Sequence, residues 1–220
     1  MQMAQTCPLG SNGVVFPAMC ERGLREIKKE ATAQALGEAA FELALERGMD
    51  GFVIDDVVER ASYSRRTFAN HFSCKEEAVA SVLFVGADKV AAFIAGVPEG
   101  TPVLDALHQL MRSQLSAEMF AKIQKLVSLC QQHPALEPYI LAAVRRMRQA
   151  TPAALGEFAK GRYSDQYILV LFAAAYGAIS LLFDGSLDVL PPGQPASGGS
   201  GVVTFDEFLD TTFDHLRNGF

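Results

Sequence analysis

Nothing in these 220 residues spells a metal site, a redox pair or a phosphate loop. The four cysteines, Cys7, Cys20, Cys74 and Cys130, form no CxxC pair and have no histidine or carboxylate at metal-ligand intervals. That excludes a zinc module and reads as free thiols in a reducing, cytoplasmic compartment. A glycine-rich loop and a G-x-S-x-G elbow are missing as well, and the four histidines, His71, His108, His133 and His215, stand far apart in the chain. No cofactor, no metal and no enzymatic activity are therefore expected. The first residues, MQMAQTCPLGSNGVVFPAMC, lack a basic start followed by an apolar run, so no secretion signal is expected. Their Gly, Pro and Ser content reads as a flexible arm over residues 1–20, and Met19 is a candidate translation start just ahead of the ordered part.

Strand-like alternation is missing too, and no internal repeat is visible. What remains is helical periodicity, in a chain of which half the residues are apolar and which can bury a sizeable core. The fold class expected is all-α. A first helix runs from Arg22 to Arg47 with Leu36, Ala39, Ala40 and Leu43 on one stripe, and Gly48 ends it. Asp55–Ala61 and Arg65–Phe72 are two short helices joined by Ser62, Tyr63 and Ser64, the spacing of a helix-turn-helix. A fourth helix starts near Ser73, with Glu76 three residues on as a capping box, and runs through Leu83, Phe84, Val90 and Phe93. Further helices are expected over 103–115, 117–132, 136–148, 152–160, 165–183 and 205–217, with breaks at His133-Pro134, Thr151-Pro152 and Gly161. The Pro/Gly/Ser-rich stretch 184–203 reads as a mobile linker.

Charge is missing from Tyr167 to Phe183, seventeen residues in all. That run is short for a membrane span of about 20 residues and lacks flanking Lys or Arg, so it reads as a helix buried on nearly all sides. Phe205, Phe208, Leu209, Thr212, Phe213 and Leu216 give the last helix a matching stripe. Helices 165–183 and 205–217 from each of two chains would close a four-helix homodimer interface.

Acidic residues are missing from Arg60 to Lys75, in a chain of formal net charge -6. Residues 21–78 as a whole hold nine Lys/Arg against twelve Asp/Glu, so non-specific coating of nucleic acid is not expected and any DNA contact must be local. On the 65–72 helix Phe68 and Phe72 share the inner face, and Arg66, Thr67 and Asn70 the opposite one, with Arg65 and His71 beside it. Positive charge at a helix start is disfavoured by the helix dipole by about 0.3–1 kcal/mol, so Arg65 and Arg66 need another reason. Guanine edges and phosphates supply one, while Asn suits adenine and Thr a thymine methyl. His71 and Lys75 would meet phosphates, and Lys28, with Lys29, Arg22 and Arg25, would reach the backbone of the adjacent groove.

The run GLREIKKEATAQALGEAAFELALERG followed by IDDVVERASYSRRTFANHFSCKEEAV resembles the TetR family of bacterial transcriptional regulators. The resemblance implies an all-α homodimer with an N-terminal three-helix DNA-binding domain, here 21–78, and a C-terminal helical domain, here 79–220, for ligand binding and dimerisation. It implies a regulator, expected to be a repressor, that binds double-stranded DNA and a small, hydrophobic effector. Apolar walls with polar tips nominate Phe84, Met111, Met119, Phe120, Ile123, Tyr139, Phe172 and Tyr176 as effector contacts. The chain departs from the family pattern at Val53, where Thr is usual, at Ser62, where Gly is usual, and at Ala69, where a large aromatic or Arg is common. Those departures motivate the alternative of a helical ligand- or partner-binding protein without specific DNA binding.

Overall fold

Alanine, leucine and glutamate carry α1, Pro17–Arg47, well past the length at which a helix stands on its own propensity. The computed structural model describes residues 17–83, 87–183, 186–187, 189–194 and 203–219, without the side chains of 17–24 and 87–88. After α1 the chain makes a 3-10 turn, Met49–Gly51, then α2, Ile54–Arg60, α3, Arg65–Ala69, and α4, Lys75–Ala80. The remainder is α5, Ala87–Ala95, α6, Val103–Gln114, α7, Ala117–Gln132, α8, Glu137–Ala159, α9, Asp165–Ser180, and α10, Phe205–Asn218. Among the described residues the architecture is all-α but for one ladder, in which β1, Val189–Leu190, pairs in parallel with β2, Val203–Thr204. Two ends of the stretch expected as a linker are thus hydrogen-bonded to each other; residues 184–185, 188 and 195–202 lie outside the described residues, as do residues 1–16 of the expected arm. The last four residues of that arm, from Pro17, are helical and extend α1 beyond its expected start.

Two apolar cores divide the chain. One gathers Leu36, Ala40, Leu43, Phe52, Val57, Phe68, Phe72 and Val79 from α1 to α4, and it is completed by Leu126 and Leu129 of α7 and Leu136 beyond it. The other is built by α5 to α10 around Leu107, Phe120, Leu155, Ile168, Phe172, Leu209 and Phe213. The N-terminal helices therefore do not close their own core: three leucines from beyond the expected boundary fill it. Polar clamps fix the joints. Arg60 forks onto Glu46 at 2.8 and 2.6 Å, tying α2 to α1, and the same bond holds the Glu46 carboxyl below its ordinary range. On the far side Arg112 meets Asp210 at 2.6 Å and Arg217 meets Asp105 at 2.6 Å, tying α10 to α6.

Four further elements differ from their sequence expectation, the first being α3, which ends at Ala69 rather than Phe72. The expected single helix from 73 onward is interrupted by a 3-10 turn at Ser81–Leu83. Ser81 Oγ donates to the Ala78 carbonyl at 2.6 Å and sits against Gly37, where any Cβ would come within 2.3 Å of that oxygen, so α1 and α4 approach more closely than a larger residue allows. The expected capping box is replaced: Cys74 is the N-cap, its sulfur accepting the Glu77 N–H, while the Ser73 N–H and hydroxyl both donate to the Glu77 carboxylate, each at 2.8 Å. The expected break at Thr151-Pro152 is absent, because α8 continues through Pro152 with Thr151 and Pro152 buried, packing outweighing the lost donor. Finally, α9 is not buried on nearly all sides. Ile168, Leu171, Phe172, Ala175 and Ile179 face the core, whereas Tyr167, Leu169, Val170, Ala173 and Ala174 are exposed. Among the described residues no helix is long and apolar enough to cross a membrane.

Candidate nucleic-acid interface

The turn between α2 and α3 is a Schellman motif: Tyr63 N–H donates to Val58 O at 2.8 Å and Ser62 N–H to Glu59 O at 3.1 Å. It forces Ser62 to φ 58°, the left-handed region that glycine occupies without strain. Ser62→Gly is expected to stabilise the protein by roughly 0.5–1 kcal/mol, the strain relieved less the added freedom of the unfolded chain. A urea titration checks this, and an unchanged or lower midpoint would contradict it.

Ser64 then caps α3, accepting the Thr67 N–H at 3.0 Å and sharing a 2.8 Å hydrogen bond with the Thr67 hydroxyl. With five residues α3 cannot hold itself helical. Its inner anchors do so: Phe68 is 1% exposed and its ring lies 5.6 Å from that of Phe72. The outer face presents Arg65, Arg66, Ala69 and Asn70, all exposed, with Thr67 half-buried beside them. Arg66 makes no side-chain hydrogen bond or ion pair among the described residues. Arg65 forks onto Asp55 of α2, its Nη2 donating to Oδ2 at 2.9 Å and its Nε to Oδ1. Both groups are solvent-exposed, so the pair is weak and releasable.

The structure separates the remaining candidates from this face. Lys28 is exposed on α1. His71 is half-buried, 6.3 Å from the Phe72 ring; burial first, and the Lys29 charge second, push its pKa below the ordinary imidazole value. Lys75 turns inward, its ammonium donating to the carbonyls of Met49 at 2.5 Å and Phe52 at 3.0 Å, with the Phe52 ring 4.9 Å away. Neither the Arg65–Asp55 fork nor the Lys75 contacts left a local signal in the sequence, since both join elements that meet only in the fold.

The expected effector residues divide between one core and the surface of α7 and α8. Met111, Phe120 and Phe172 are close-packed core residues. Tyr176 is half-buried and stacks on Phe172 at 5.9 Å, with the Arg148 guanidinium 5.8 Å from its ring. Met119 and Ile123 are half-buried on α7, and so is Tyr139 on α8, where the neighbouring Cys74 thiol pushes the phenol pKa up. Phe84 lies outside the described residues. Of the set, Met119 lines a cleft, about 450 Å³ in volume, at the junction of α1, α6 and α7, with His71, Gln34, Lys89 and Lys122 on its walls. A second cleft of about 490 Å³ lies between α5 and α8 over Ile94, Val97 and Phe158, with the 2.8 Å Lys160–Glu99 pair at its rim.

The expected dimer faces fare unequally. Phe205, Leu209 and Phe213 of α10 are spent in the protomer's own core, leaving Phe208, Thr212 and Leu216 half-buried. Of these two helices it is α9 that keeps an open apolar face, where Tyr167, Val170 and Ala174, with Leu181 at its C-cap, follow helical spacing.

Residues 36–82, which span the second half of α1 through the 3-10 turn after α4, match the model for bacterial regulatory proteins, tetR family. No curated protein matches the chain.

Proposed function

The chain belongs to the tetR family of bacterial regulators through the DNA-binding helix-turn-helix of residues 36–82, and from that premise we propose that it is a cytoplasmic, effector-responsive repressor that grips a near-palindromic operator as a homodimer. The observation that carries the reading is the outer face of α3, where Arg66 and Asn70 are exposed and Arg65 is held by a weak surface pair. Arg65, Arg66, Thr67 and Asn70 meet base edges in the major groove, His71 and Lys28 meet phosphates, and α9 with the edge of α10 pairs the two protomers. In a two-fold dimer the two α3 helices must enter successive major grooves about 34–36 Å apart. An effector acts by favouring a dimer whose helices are wrongly spaced, and only to the extent that it binds that form better. The two clefts, rather than the packed residues of the core, are where such an effector has room.

The test is binding to a duplex selected by the protein from a randomised pool, with salt varied. Selective, strongly salt-dependent binding is expected. Arg66→Ala should cost about 1–3 kcal/mol and relax preference at one base position. Equal, weak binding to selected and random duplex would instead favour the ligand- or partner-binding alternative that Val53, Ser62 and Ala69 motivate, to which the Arg65–Asp55 fork adds.

A further inference from the structure

The peptide unit between Phe52 and Val53 is held at both polar ends. Its carbonyl accepts from Lys75 Nζ at 3.0 Å, and its N–H donates to Asp56 Oδ2 at 2.8 Å. Lys75 Nζ also takes the Met49 carbonyl at 2.5 Å, and Asp56 is itself paired with Arg47 at 3.2 Å. One lysine at the start of α4 and one carboxylate in the first turn of α2 thus fix the segment through which the chain enters α2. Val53, at the N-cap, has no side-chain oxygen to do this itself. The lysine is half-buried against Phe52, and Phe52 and Met49 are both buried. Swinging the ammonium out to a phosphate would break two hydrogen bonds and leave two carbonyls without that donor. The Asp56 carboxyl is held below its ordinary range, chiefly by the Val53 N–H and then by Arg47, against the opposing effect of burial.

We infer that Lys75 is a positioning residue of the DNA-binding head, clamping with Asp56 the entry of α2 and through it the angle of α3, and not a contact to the DNA backbone. The inference rests on the reading of α3 as the recognition helix. It removes Lys75 from the phosphate-binding set that its place in the sequence suggests, and it gives α4 a direct hold on α2, so that a shift of α4 is transmitted to α3 without a change in the turn.

Lys75→Met and Asp56→Ala are measured against the wild type in the full chain, in the cold and with helicity checked by circular dichroism. The probes are the wild-type-selected duplex and a random duplex over a salt series. A clamp predicts that both variants lose roughly tenfold in the ratio of selected to random affinity, the scale of one base contact, with the salt slope of Lys75→Met unchanged. A phosphate contact predicts equal loss on both duplexes and a slope lower by about 0.9 for each protomer bound, and that result would overturn the inference. A merely structural role predicts a lower melting temperature with the ratio intact, which overturns it too. If Lys75→Met does not fold, an unchanged ratio in Asp56→Ala has the same force. Amide exchange over residues 52–60 is read without DNA: faster exchange there in Lys75→Met, with α6 and α10 unaffected, supports the clamp even if the wild type proves unselective, which would sink the recognition-helix reading alone. Unchanged exchange counts against the clamp.

Discussion

Phe68→Ala should abolish selective DNA binding and lower stability by about 3–5 kcal/mol, the range for truncating a buried Phe. The ring is 1% exposed and packs in one core with Leu36, Phe52, Val57 and Phe72. A domain holds only about 5–15 kcal/mol in total, so the loss takes a large part of it. The α3 helix has five residues, one cap at Ser64 and no other inner anchor but Phe68 and the adjoining Phe72. Once the ring is gone, only the Ser64 cap and Phe72 remain to set the depth and angle of Arg66 and Asn70. Urea melting gives the stability and a binding titration the affinity; a cost below about 1 kcal/mol would mean that Phe68 is not the anchor described.

Val170→Glu should give a folded monomer with operator affinity down by a factor of about 10²–10⁴, the gain that linking two half-site contacts supplies. Val170 is 62% exposed in the protomer and lies on the face of α9 with Tyr167, Ala174 and Leu181. A carboxylate there is harmless to the single chain. In a two-fold interface it appears twice, unpaired and desolvated, at a cost of several kcal/mol. Sedimentation and circular dichroism separate the two states: a smaller particle with unchanged helicity is expected. A Val170→Glu dimer as tight as the wild type would move the interface elsewhere.

The DNA-binding head was legible because its signals are local. The Ser64 cap, the Phe68 and Phe72 spacing and the three-residue turn all fall within a dozen residues, and even the strained φ of Ser62 follows from a non-glycine residue in a glycine position. The features that escaped are tertiary. Lys75 looks like any basic residue next to a recognition helix until Met49 and Phe52 are folded against it. Pro152 reads as a stop, yet α8 runs through it because Thr151 and Pro152 are buried by neighbours that no local pattern announces. The stripe on α10 was visible, but whether Phe213 turns to its own protomer or to another is decided by the position of α6, whose His108 stacks on it at 4.5 Å. Met111, Phe120 and Phe172 do meet, but in a packed core: large apolar residues fill space, and clefts open where side chains are small, as at Ala91, Ala95 and Ala154.

The short ladder between Val189 and Val203 makes the chain leave and return at one point. Because Thr204 is both the partner of Leu190 and the cap of α10, the pairing fixes where α10 starts relative to the segment that follows α9.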